Sequence, residues 1–193
     1  MNLAFLAFLV SATVSLLSFT LIASRYVVPR LSKQPYVQAL LPLVLLNVFR
    51  TEGFVFLLPQ VMGGALPSDF AVPAAYGDVS TAVLALLTAL VLWLRPGLAL
   101  PLVWLLNLVG FADLLFAIYN GTVVGFPYFH VGVAWFIPTV YVPLLLVNHV
   151  VVFWFLLRVV PSTQAERGSE RSLREQGGDQ MSVKSDVVNE LKG

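Results

Sequence analysis

The residues of this chain that could do chemistry are charged and amide side chains set inside long apolar runs. Asn47 to Asp78 reads N-V-F-R-T-E-G-F-V-F-L-L-P-Q-V-M-G-G-A-L-P-S-D-F-A-V-P-A-A-Y-G-D, placing Arg50 and Glu52 in one run and Asp78 at the opening of the next. Asn107, Asp113 and Asn120 follow along a further run, His130 opens the last, and His149 lies deep within it. An arginine at bilayer depth costs roughly 3 kcal/mol even on a lenient insertion scale, so it demands a partner or water. Carboxylates at matching depth supply that partner. Such a cluster can receive a small polar or proton-linked ligand, or it can simply hold helices in register.

The elements that must position these groups are helices. Hydrophobic residues make up 59% of the sequence and charged residues 11%, against about 25% charged in soluble domains. Mean hydropathy is +0.88, and several apolar runs reach the ~20 residues that a helix needs to cross a bilayer. The predicted class is therefore all-α: a polytopic membrane protein with a bundle of five transmembrane helices. The 193 residues leave room for one membrane domain, residues 1–160, and a tail, residues 161–193. The tail is too poor in apolar side chains to bury a core and is expected to be disordered. Net charge is +1 and the basic residues form no patch, which gives no reason to expect a nucleic-acid partner. Cysteine is absent, excluding disulfides and thiolate metal sites.

Breaking residues bound the spans at approximately 2–24, 36–62, 74–94, 98–120 and 128–158. The first run carries no basic residues ahead of it and has a longer core than a signal peptide, so a retained helix is expected. Its Ala7, Ser11 and Ser15 recur every four residues, a small-residue face suited to internal packing or to a homo-oligomer or membrane partner. Arg25 to Gln34 is expected to be a short basic loop. Pro42, Pro59, Pro138 and Pro143 are expected to kink or end their helices.

Orientation follows from the basic residues. Of the 11 Lys and Arg, Arg25, Arg30, Lys33 and Arg95 lie in two loops on one side, with six more at or beyond Arg158. The eleventh is Arg50, and the opposite side has none. The positive-inside rule puts the N-terminus outside and the tail in the cytoplasm.

Depth can be counted along the helices. Arg50 is about 21 Å from the cytoplasmic end of its span and Asp113 about 22 Å, at 1.5 Å per residue. Arg50, Glu52, Asp78 and Asp113 therefore share one level in the outer half of the bilayer, with Asn120 and His130 just above. Helical phase separates Arg50 from Glu52 by about 200° and groups Asn47 and Phe54 with Arg50. Arg50 is expected to pair with Asp113 or Asp78. One cation against three carboxylates would leave the cluster at −2 if all were ionised, so at least one carboxyl is expected to be neutral or hydrated.

The candidate binding cluster is thus Arg50, Glu52, Asp78, Asn107, Asp113, Asn120 and His130, with His149 secondary. His149, with apolar flanks, reads first as a hydrogen-bonded core residue, and it lies too far from His130 to share a metal. No catalytic residue, metal set or cofactor is predicted, since no nucleophile elbow, H-E-x-x-H, Walker or dinucleotide-binding pattern occurs. Asn120-Gly121-Thr122 matches a glycosylation sequon by chance at a helix end. Three functions stay open. One is a ligand-binding or transport-type module, and another is a structural or partner subunit. The third is an enzyme acting on a lipid or isoprenoid headgroup.

Four motifs carry a resemblance. They are F-R-x-x-G-x-x-F-L (Phe49–Leu57), F-A-x-P-A-x-x-G-D (Phe70–Asp78), W-x-x-N-x-x-G-x-x-D (Trp104–Asp113) and I-P-T-x-x-V-P-L with a following His149. Taken in order, this set resembles a family of small bacterial integral membrane proteins of unassigned function. The resemblance implies an inner-membrane location and directs attention to Arg50, Asp78, Asn107, Asp113 and His149. It implies no activity.

Overall fold

The computed structural model describes residues 2–159, which are helical apart from short connecting turns, with no strand among the described residues. Five helices are long and apolar enough to cross a membrane: α1 (Leu3–Leu31), α2 (Tyr36–Leu57), α3 (Ser68–Leu94), α4 (Pro96–Val124) and α5 (Gly132–Arg158). The expected tail lies outside the described residues.

The boundaries differ from the sequence expectation where backbone chemistry is most local. The basic segment expected as a loop continues α1 to Leu31 through a π-helical turn at Ala23–Val27. Pro29 removes a donor, but it follows directly on that turn, where the hydrogen-bond ladder has already slipped. At its other end α1 is capped by the Asn2 side chain, which accepts from the Ala4 N–H at 3.1 Å. Ser11 and Ser15 face the neighbouring helices half-buried, whereas Ala7 is exposed.

Helix α2 stops five residues before the expected Met62. Pro59 disfavours helical geometry at Leu58, which adopts φ −112° and ψ 85°, and a single turn, Pro59–Met62, ends at Gly63 with φ +74°. Within α2 the winding changes. Tyr36–Leu46 is α-helical and Asn47–Leu57 is 3₁₀, far longer than the usual three or four residues. At three residues per turn, side chains three apart line up, and the buried set of this segment is Asn47, Arg50, Gly53 and Phe56. Phe54, expected beside Arg50 from α-helical phase, is instead 45% exposed. The tighter winding turns it outward and brings Phe56 in.

Helix α3 begins at Ser68 rather than 74 and carries Pro73 within it. Its buried face is mainly small residues, including Ala71, Ala75, Ala82, Ala85 and Ala89, so α2 and α4 approach it closely. Helix α4 runs past Asn120 to Val124 and ends at Gly125 with φ +71°. The glycosylation sequon therefore lies inside a helix. Helix α5 starts at Gly132, four residues later than expected, because Phe126–Tyr128 forms a separate turn. Helix α1 packs on α5 and on the turn before it.

The two ends of the bundle differ. At one end the Tyr36 hydroxyl donates to the Pro96 carbonyl at 3.1 Å, tying the α1–α2 turn to the α3–α4 turn. At the other, Phe56, Phe70 and Phe126 meet in pairs with ring centroids 5.5–6.1 Å apart, and Met62, Val131 and Ala134 complete a closed apolar cap.

Candidate functional site

Arg50 is the centre. Its side chain is fully buried, and the eclipsed 3₁₀ face aims it between α3 and α4. Nε donates to Asp78 Oδ1 at 2.7 Å, one terminal nitrogen donates to the Gly110 carbonyl at 2.9 Å, and the other is paired with Asp113 Oδ2. One guanidinium thus joins three helices. The Asp78 and Asp113 side chains keep 16% and 17% of their surface exposed.

Glycine makes this closeness possible. A Cβ on Gly53 would lie 2.5 Å from Asp78 Cβ, and one on Gly77 would lie 2.8 Å from Asp113 Cγ. Gly110 is hemmed in by His149 Cε1 at 2.8 Å and Thr81 Cγ2 at 3.0 Å. Real Cβ atoms do not approach so near, so each carboxylate occupies space that a glycine leaves. Lacking a side chain, Gly110 also leaves its carbonyl open to Arg50.

A second polar group lies against the first. Asn107 Nδ2 donates to the His149 carbonyl at 3.2 Å, and its Oδ1 faces His149 Nδ1 at 2.7 Å. With the amide nitrogen so engaged, Oδ1 is the acceptor, which places the imidazole proton on Nδ1 and leaves Nε2 as a lone pair. His149 is fully buried, and its Nε2 receives no donor from the protein.

The change of winding in α2 creates a third feature. At the junction the Asn47 N–H turns to Val44 O, so Leu43 O loses its ordinary partner. Two side-chain amides replace it: Asn47 Nδ2 at 3.1 Å and Asn148 Nδ2 of α5 at 3.0 Å. The Tyr141 hydroxyl donates to Leu46 O at 3.2 Å, so α5 braces the junction twice. Oδ1 of Asn47 and of Asn148 are buried without a protein donor.

Of the residues singled out from sequence, Arg50, Asp78 and Asp113 converge. Asn107 joins His149 rather than Arg50, and the pair reaches the Arg50 site through Gly110. Glu52 is exposed and lines a separate cavity of about 230 Å³ with Ile137, Tyr141 and Leu144. Asn120 is half-buried, and His130 is exposed at the apolar end, where its carbonyl faces Gly64. Gly53, Gly77, Tyr141 and the role of Asn148 were missed. The signal for the glycines was present as R-x-x-G and G-D, but that of Gly53 is read correctly only at three residues per turn. Among the described residues, no three His, Cys, Asp or Glu side chains are grouped to hold a metal.

The fold and this cluster define a helical bundle with five helices of membrane-spanning length, fastened by one buried arginine. The chain belongs to DUF8737, a domain of unknown function, whose family model matches residues 7–157. No curated protein and no solved structure matches it.

Proposed function

We propose that the chain is a small integral membrane module of the ligand-binding or transport type, whose core receives positive charge. The ligand is a proton or a small cationic, hydrogen-bond-donating group. One observation carries this reading: the polar core holds more negative charge and more unpartnered acceptors than the protein itself offsets. Two carboxylates face one guanidinium, while Asn47 Oδ1, Asn148 Oδ1 and His149 Nε2 receive no protein donor. Uncompensated negative charge and orphaned acceptors are costly at low dielectric, so an added donor or cation is stabilised there. The partly exposed edges of Asp78 and Asp113 are its point of entry.

The test is infrared spectroscopy of the solubilised protein at neutral pH, with thermal melting in sodium, potassium and ammonium salts. A protonated-carboxyl band lost in Asp78→Asn or Asp113→Asn is expected, or a melting temperature that rises with one cation above the others. Neither signal would refute the reading and leave Arg50 as a helix clamp. That outcome matches a second reading, a partner subunit of a membrane complex, which is favoured by how completely the protein itself engages Arg50.

The proposed setting is a bacterial inner membrane, with the N-terminus outside and the C-terminus in the cytoplasm. The joining of the basic α1–α2 turn to the Arg95-bearing turn through Tyr36 supports this orientation. Reporter fusions after Arg95 should then report cytoplasm and those after Asp69 should not; the reverse pattern would overturn it.

A further inference from the structure

A further cavity opens on the other side of Phe111, whose ring meets that of His149 with centroids 6.0 Å apart. It has a volume of about 600 Å³, within the range of small-molecule sites, and lies between α1, α4 and α5. Leu16, Thr20, Ser24 and Val28 form its α1 wall, with Phe111 of α4 and Trp154 of α5 opposite. The hydroxyls in that wall are already engaged, since Thr20 donates to Leu16 O at 2.7 Å and Ser24 to Leu21 O at 3.1 Å. The groove is therefore effectively apolar. It needs no polar ligand along its length.

Its dimensions and its ends identify the occupant. From Leu16 to Val28 the wall runs about 18 Å at 1.5 Å per residue, close to the ~15 Å of one leaflet in a ~30 Å hydrocarbon core. The Val28 end coincides with the basic end of α1. Arg25, beside Ser24, is exposed, and Arg30 folds back to donate to Tyr26 O at 3.1 Å and lies over the Tyr26 ring. Tyr26 and Trp154 are the amphipathic aromatics favoured where hydrocarbon meets headgroups.

We infer that this groove is a binding site for one acyl chain of an anionic phospholipid, with the headgroup phosphate held at Arg25 and Arg30. Charge at the mouth and leaflet-length apolar walls together select a lipid of that class over a neutral one. The site is independent of the Arg50 cluster, and its test does not depend on how that cluster works.

The experiment is native mass spectrometry of the detergent-solubilised full chain, loaded in parallel with phosphatidylglycerol and phosphatidylcholine of equal chain length. The wild-type protein should retain phosphatidylglycerol several-fold more than phosphatidylcholine. Arg25→Gln should abolish that preference while leaving chain retention intact. Thr20→Phe, which fills the groove from an exposed position, should lower retention of both lipids, with melting checked to confirm the fold. Equal retention of the two lipids by the wild type would overturn the inference. So would retention by a folded Thr20→Phe protein that matches the wild type.

Discussion

Two faces of the same bundle are built on opposite rules. Between α2, α3 and α4 the backbones approach over alanines and glycines, and a buried cation ties the three helices together. On the side of α1, α4 and α5, large apolar side chains meet loosely around a groove, with no ion pair among the described residues. In the proposed membrane setting lipid is as apolar as leucine, and apolar contact alone drives helix association weakly. Charge and small residues therefore decide which helices are fastened. The α2–α3–α4 face should behave as the rigid part, and the α1 face as the adaptable one.

Arg50→Leu attacks the rigid face most severely. It strands two carboxylates and the Gly110 carbonyl, and breaking a buried pair costs about 3–5 kcal/mol. A melting temperature unchanged from wild type in detergent would contradict the pairing. Gly77→Ala comes next. Its Cβ would collide with the Asp113 carboxyl, and overpacking of this kind costs about 1–3 kcal/mol. Gly97→Ala is the control, because a Cβ there meets nothing within 4 Å; equal effects at the two positions would remove the glycine argument. The smallest effect is expected for Glu52→Gln. This residue is two positions from Arg50 but exposed, and surface substitutions usually stay within about 0.5 kcal/mol. A loss as large as that of Gly77→Ala would place Glu52 back in the cluster.

The existence of five helices and a pairing of Arg50 with Asp113 or Asp78 could be read from residue order alone, because run length and rise per residue are insensitive to local winding; that both carboxylates engage it could not. Phase is not. Counting at 3.6 residues per turn put Phe54 beside Arg50, whereas the 3₁₀ segment Asn47–Leu57 presents Phe56 there. No residue in N-V-F-R-T-E-G announces that change; it is set by the tertiary bracing of Leu43 O and Leu46 O by Asn148 and Tyr141. The end of α1 was hidden for a related reason. Arg25 and Pro29 look like loop residues, yet a π turn lets the helix absorb them. The split between the Arg50 triad and the Asn107–His149 pair was also illegible, because depth counting resolves levels but not which neighbour a side chain chooses.

If Arg50 faces one carboxylate too many, as proposed, the melting of Asp113→Asn shows it most directly. Asparagine at 113 can still accept from the guanidinium while removing one negative charge. Asp113→Asn alone should therefore cost about 1 kcal/mol or less, the scale of one ordinary hydrogen bond, or raise the melting temperature. Combined with Arg50→Leu, it should recover part of the stability that the arginine variant loses. If Asp113→Asn destabilises as much as Arg50→Leu, and the double variant is no better than Arg50→Leu alone, the charges of the triad are balanced as they stand. The core would then have no call for a further positive charge.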